Sequence, residues 1–197
     1  LGVIPTAMPF AAQVSAKLRE KHPNLSIEIY SESTRAIARR LNDFSLDAGI
    51  LYFDDGDPET TEKLYEERYV FIAPNSLTIL KEKQITWEEV AQFPLCLLTQ
   101  NMRNRQLIDQ QFLELGISPN IVTEASDFTG VLAQVALGNA ATIAPVSVAE
   151  TFLDLKSTVH LDLTHPVMIH SVGLSIKDQS PVLPIIKALR QAVKAAL

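Results

Sequence analysis

Cysteine is almost missing. Cys96 alone cannot form an intrachain disulfide, so a disulfide-stapled scaffold is excluded and a reducing compartment is compatible. It sits in the apolar run Leu95-Cys96-Leu97-Leu98 and reads as a small buried hydrophobe. Glycine is sparse and scattered, seven in 197 residues, and none falls into a Gly-x-Gly-x-x-Gly, P-loop or Gly-x-Ser-x-Gly pattern. The histidines are His22, His160, His165 and His170, and no two have the i, i+4 spacing of a helical zinc site. Positive charge is in deficit: 17 Lys and Arg against 23 Asp and Glu give −6. A chain that binds nucleic acid by itself needs the opposite balance. The longest apolar stretch, Val131 to Ala149, is broken by Gln134, Gly138, Asn139 and Pro145, which argues against a membrane span. The carboxylate pairs Glu66-Glu67 and Glu88-Glu89 are consecutive, so their side chains diverge. These absences predict a chain that is not an enzyme and holds no cofactor and no metal. The start, Leu1-Gly2-Val3-Ile4-Pro5, lacks the basic segment of a signal peptide and an initiator Met, and is read as part of something longer.

What is present is an ordinary globular composition, 47% hydrophobic and 20% charged. Its pattern alternates strands with helices. Gly2-Val3-Ile4 is a strand ended by Pro5, and Phe10, Val14 and Leu18 mark one helix face. Leu25, Ile27 and Ile29 alternate with polar residues as a strand, Arg35 to Phe44 is a helix burying Ile37, Leu41 and Phe44, and Ala48 to Leu51 is a buried strand. A βαβαβ order implies parallel neighbours. The acidic segment Asp54-Asp55-Gly56-Asp57-Pro58 lacks calcium-loop spacing and reads as a solvated turn. Beyond it come a strand over Arg68–Pro74, a capping box at Thr86-Trp87-Glu88-Glu89, a strand over Leu95–Leu98 and a helix from Arg105 to Leu115 stopped by Gly116. Ile121-Val122 begins another strand, and Ser126-Asp127 caps a helix bearing Val131, Leu132 and Val135. A small-residue strand spans Ala141–Ala144. A second capping box stands at Ser147-Val148-Ala149-Glu150, a strand covers Val167–Ile176, and Ser180-Pro181 opens a last helix.

The β/α unit thus occurs twice. If the last strand and helix rejoin the first half, the expected lobes are residues 1–73 with 169–197, and residues 74–168. Ligands in open α/β sheets bind beyond the carboxyl ends of strands. The positions so selected are Thr6 and Ala7, then Ser33 and Thr34, then Tyr52, and in the second half Thr99, Gln100, Asn101, Asp127 and Phe128. Hydroxyls, amides and free backbone N–H groups at helix starts suit an anion. Each such Ser or Thr alone is equally a simple helix cap. Arg35, Arg103 and Arg105 lie near these turns as candidate sources of positive charge, or as solvated surface residues.

One family carries this order of segments: Gly2-Val3-Ile4-Pro5-Thr6-Ala7-Met8-Pro9, Lys21-His22-Pro23-Asn24-Leu25, Leu46-Asp47-Ala48-Gly49-Ile50, Tyr69-Val70-Phe71-Ile72-Ala73-Pro74, Phe93-Pro94-Leu95-Cys96-Leu97-Leu98 and Ala144-Pro145. Over essentially all its length the chain resembles the effector-binding domain of LysR-type transcriptional regulators. The resemblance implies two Rossmann-like lobes joined by two crossover segments, a fold like type 2 periplasmic binding proteins, with a small-molecule cleft between the lobes. It implies a small, anionic metabolite as effector, contacted by the ten residues named above. It further implies a cytoplasmic homodimer, a tetramer in the parent protein, with no membrane partner, and DNA contacted only through an N-terminal winged helix-turn-helix that this chain lacks. In the family's usual dimer the first helix, here Phe10–Lys21, packs on a second-lobe helix, here about Phe128–Leu137. The alternative is a type 2 solute-binding protein of a transporter, on the same fold. Two features depart from the family: Thr99 to Arg105 is not glycine-rich, and Asp127 repels an anion unless it only caps.

Overall fold

Apolar runs too short for helices become strands, and the four-residue apolar spacings become helices, so the chain is α/β as its pattern predicts. The computed structural model describes residues 1–54, 61–76, 83–152, 157–177 and 183–197. In chain order the elements are β1 (Gly2–Val3), a 3-10 turn (Pro5–Ala7), α1 (Met8–Lys21), β2 (Tyr30–Ser31), α2 (Thr34–Asn42), β3 (Gly49–Phe53), β4 (Thr61–Pro74), β5 (Gln84–Thr86), α3 (Trp87–Val90), β6 (Leu95–Leu98), α4 (Arg103–Glu114), β7 (Ile121–Ala125), α5 (Phe128–Ala136), β8 (Thr142–Pro145), α6 (Val146–Phe152), β9 (Thr158–Thr164), β10 (Ile169–Ser175) and α7 (Pro184–Ala196). They form two units, Leu1–Glu66 with His170–Leu197, and Glu67–Ile169. The chain passes between them within β4 and at the start of β10.

In the first unit the sheet order is β2-β1-β3-β10-β4. β1 is parallel to β2 and β3, with Gly2 level with Tyr30 and Gly49, and β10 is antiparallel to β3. α1 buries Phe10, Ala11, Val14 and Leu18, and α7, which packs on it, buries Ile186, Leu189, Ala192 and Val193. α2 lies close on the strands through Ile37 and Leu41, and the closeness depends on Gly49, where a Cβ would stand 2.5 Å from Ile37 Cγ2.

Two expectations for this unit are corrected. Leu25, Ile27 and Ile29 are half-buried in alternation but make no strand, because β1 offers ladder partners only to Tyr30 and Ser31. Phe44 is not on the buried face of α2. The helix stops at Asn42, Phe44 takes a left-handed φ of 58°, and its ring is 59% exposed beneath the Lys177 ammonium. On α1, Phe10, Ala11 and Val14 are buried and Ala12 is exposed. α7 begins with Pro184 at its first position, while Ser180, Pro181 and the acidic segment beyond Asp54 lie outside the described residues.

In the second unit β4 runs between β8 and β9, antiparallel to both, so Ile72 faces Thr142 on one side and His160 on the other. β5 is parallel to β9, β6 is parallel to β7, and a parallel bridge between Leu95 and Ala141 joins β6 to β8. Period-two alternation sends Tyr69, Phe71 and Ala73 to one face with Trp87, Leu95, Leu97 and Phe112. It sends Val70 and Ile72 to the other with Cys96, Leu98, Val131 and Val135. Cys96 is fully buried, as read, and that burial pushes its thiol pKa up. Thr86 and Glu89 make the capping box reciprocally. Ser147 does not, because α6 starts one residue earlier and Ser147 lies inside it. β9 is a strand that the sequence pattern did not predict, although Val159, Leu161 and Leu163 alternate in it. Among the described residues, no helix is long and apolar enough to cross a membrane.

After α4 the chain turns at Gly116, whose φ is +68°. A Cβ there would meet nothing within 4 Å, so Gly116→Ala isolates backbone strain from packing. The expected cost is about 1–2 kcal/mol in urea unfolding with an unchanged m value.

Candidate functional site

Parallel pairing in the first unit brings three strand ends to one edge. Val3 is level with Ser31 and with Ile50. Two residues further along stand Pro5, Ser33 and Tyr52, so the turns after β1 and β2 and the end of β3 emerge together. Thr6 is only 1% exposed, and its Oγ1 lies 3.2 Å from the Tyr52 hydroxyl, itself buried. Ala7 is fully buried and offers no polar side-chain atom; its N–H donates to Ile4 O at 3.0 Å. Ser33 is the N-cap of α2, its Oγ accepting from Ala36 N at 3.3 Å. Thr34 follows as the first helical residue, and its Oγ1 is buried with no hydrogen-bond partner among the described residues. A buried hydroxyl without a partner costs about 1–3 kcal/mol, so this atom is poised to gain from a ligand acceptor. The first-turn amides of α2 have no intrahelical acceptor and add a positive end-dipole beside it.

His170 joins this group without having been selected from sequence: its ring stands edge-on to Tyr52, centroids 6.4 Å apart. Only the register of β10 against β3, a long-range pairing, brings it there. Arg35 is exposed. Arg40 is the organised cation of this unit: it reaches Glu32 at 2.6 Å and lies 4.2 Å from the Tyr30 ring centroid. Its pKa is raised, chiefly by the hydrogen bond to Glu32.

The second unit presents its own edge. Leu98 is level with Ala125, and Thr99 N donates to Ala125 O at 3.0 Å, so the turn after β6 leans on the end of β7. Thr99 Oγ1 donates to Asn101 Oδ1 at 2.8 Å, Met102 N closes the turn on Thr99 O, and Gln100 is exposed, its carbonyl accepting from Gln106 Nε2 at 3.0 Å. Asp127 is the N-cap of α5, its carboxylate accepting from Gly130 N at 2.9 Å. Phe128 is 7% exposed and packs in the core with Val131 and Leu132. Thr99, Gln100 and Asn101 therefore form one polar turn, while Asp127 and Phe128 hold structural places beside it.

The arginines separate sharply. Arg105, 4% exposed, is held through two of its three nitrogens: Nε donates to Asp109 at 2.7 Å, and Nη1 to Leu98 O at 2.9 Å and to Glu124 at 2.6 Å. Burial works against its charge, yet the hydrogen bonds to Asp109 and Glu124 prevail and hold the guanidinium above its ordinary pKa. It is not a solvated cation awaiting a ligand. Asn104, also buried, donates to the Tyr69 hydroxyl at 3.1 Å. Sequence reasoning passed over Glu124 and Asn104, because their partners lie 19 and 35 residues away.

A cavity of about 330 Å³ in the first unit lies at the other end of the strands, lined by apolar residues including Leu1, Leu18 and Leu189 and by polar ones including Glu28 and Asp47. Among the described residues no group of three His, Cys, Asp or Glu side chains is arranged to hold a metal ion.

The sequence model of the LysR substrate binding domain matches residues 1–197. A probable RuBisCO transcriptional regulator from Trieres chinensis is 26% identical over 156 residues, 74% of this chain and 50% of that protein. The chain thus spans about half the length of the curated relatives it matches. Among solved structures, the regulatory domain of Synechocystis PCC6803 CcmR in complex with 2-PG superposes with a TM-score of 0.84 at 12% identity, covering 99% of this chain and 95% of that one. The effector binding domain of QuiR in complex with shikimate gives 0.77 at 19% identity, covering 98% and 92%. The shared fold is that of LysR regulatory domains, the type 2 periplasmic-binding-protein-like fold.

Proposed function

The chain belongs to the LysR substrate-binding domain family, and from that premise we propose that it is the small-molecule sensor of a transcription regulator. Its ligand is a small anion, read by the turns that carry Thr6, Ala7, Ser33, Thr34 and Tyr52 and by those that carry Thr99, Gln100, Asn101, Asp127 and Phe128. The observation that carries this is the Thr34 hydroxyl: buried, without a partner among the described residues, and seated in the first turn of a helix whose free amides favour negative charge. A ligand that binds one arrangement of the two units better than another shifts their equilibrium by that difference in affinity. In the whole regulator, a cytoplasmic homodimer, the shift passes to a DNA-binding domain outside this chain. The chain itself catalyses nothing and holds no cofactor. A transporter's solute-binding protein would share the fold, but the relatives matched are transcription regulators, which favours the sensor.

Ligand binding to the native state alone raises its stability by mass action, about 2.7 kcal/mol at a hundredfold excess over Kd. Thermal unfolding against a panel of small carboxylates and phosphates, shikimate and 2-PG included, is expected to give at least one ligand that raises Tm. Thr34→Ala should then weaken that ligand roughly twofold to tenfold, the worth of one hydrogen bond, without lowering the Tm of the free protein. Stabilisation that survives unchanged in both Thr34→Ala and Thr99→Ala variants places binding elsewhere.

A further inference from the structure

Arg105 is the one cation among the buried polar side chains of the described residues, and two of its three acceptors lie at the base of the turn Thr99-Gln100-Asn101. Leu98, whose carbonyl takes Nη1, is the last residue of β6 and the residue before Thr99. Glu124, which takes the same nitrogen, precedes Ala125, whose carbonyl accepts from Thr99 N. Asp109 holds Nε one helical turn further along α4. Gln106, the residue after Arg105, reaches back to Gln100 O, and its own N–H donates to Met102 O. The guanidinium therefore ties β6, β7 and α4 together at the point where the turn leaves the sheet.

Resting on the sensor reading above, we infer that Arg105 is a positioning residue for ligand binding, which holds Thr99-Gln100-Asn101 in ligand-competent shape without touching the ligand. A buried ion pair adds little net stability over an apolar fill of the same volume. What it supplies is direction: a planar fork with donors fixed relative to one another, which an ammonium cannot copy. Asp109 and Glu124 are each more than a third exposed on their own side chains, so both carboxylates stay solvated on their outer faces while the guanidinium between them is sealed. An ordered turn loses less conformational freedom when a ligand engages it, and that saving appears as affinity.

The test uses the whole 197-residue chain as Arg105→Met, Arg105→Lys and Glu124→Gln, the last two retaining a polar side chain should the first fail to fold. Amide hydrogen exchange is read at Thr99 and Met102, with Cys96 and Ala141, which bond across β6 and β8, as internal controls. The expected result is a loss of protection of tenfold or more at Thr99 and Met102 with the controls unchanged. Affinity for the compound that stabilises the unaltered protein should fall at least tenfold in Arg105→Lys while free-protein Tm moves little. Unchanged exchange at Thr99 and Met102 in both polar variants overturns the inference, as does equal loss at the controls, which would make Arg105 a general fold support only. Loosening of the turn with unchanged affinity also overturns it. If no compound in the panel stabilises the unaltered protein, the sensor reading fails, whereas the exchange data still decide whether Arg105 orders the turn.

Discussion

Trp87→Ala is expected to lower the unfolding free energy by about 3–5 kcal/mol, a large part of the 5–15 kcal/mol a domain normally has. Trp87 is fully buried between β5 and the core of the second unit, its ring edge-on to Phe112 with centroids 5.0 Å apart. Truncation opens a cavity the size of an indole in a core that cannot collapse around it, because strands on either side are pinned by their ladders. It also removes the donor to Pro166 O, a bond of 2.9 Å between residues 79 apart in sequence. Trp87→Phe separates the two effects. It keeps an aromatic partner for Phe112 and loses the N–H, so its cost should be about 1–3 kcal/mol, that of one lost hydrogen bond and a smaller void. Trp87 is the only tryptophan. Fluorescence therefore reports the second unit in the unaltered protein, and circular dichroism in urea serves the variants. A loss below 1 kcal/mol in Trp87→Ala would mean that this core does not hold the unit together.

The capping box that starts the Trp87 helix is also an example of what sequence could show. Thr86 and Glu89 lie three residues apart, their hydrogen bonds are local, and the pattern needs no knowledge of the rest of the chain. The same holds for Asp127 over Gly130, for Gly116 after α4, and for the apolar runs that became β3, β6 and β8. What escaped depended on partners far along the chain. The polar first half of β4, Thr61 to Glu66, is a strand because β10 lies beside it, and nothing in Thr61-Glu62-Lys63 announces that. Conversely Leu25 to Ile29 has a strand's alternation and no partner to complete a ladder. At the candidate site, strand-end positions were legible from the βαβ order alone. Which of them keep an unspent hydroxyl was not. Ser33 and Asp127 are occupied as caps while Thr34 is not, and that division follows from side-chain direction at each helix start. Arg105 looked like a surface cation because one acceptor is a backbone carbonyl and another sits 19 residues away on β7.

The Thr6–Tyr52 pair should be the largest single source of ligand affinity in the first unit. Either hydroxyl can donate across their 3.2 Å contact. With Tyr52 as donor, the Thr6 proton is left to meet an anion, and the bond from Tyr52 polarises it further. Hydrogen bonds to a charged acceptor are worth about 1.5–3 kcal/mol, against about 1 for neutral pairs. Thr6→Val keeps shape and loses the donor, so affinity should fall tenfold or more. Tyr52→Phe should fall less, since it removes only the polarising partner. Because the two act through one proton path, the double variant should lose much less than the sum of the singles, and the shortfall measures their coupling. Urea unfolding of each variant, read beside its affinity, separates a loss of binding from a loss of fold. A ligand that binds equally well to all four forms in a calorimetric titration would take this edge of the sheet out of the site.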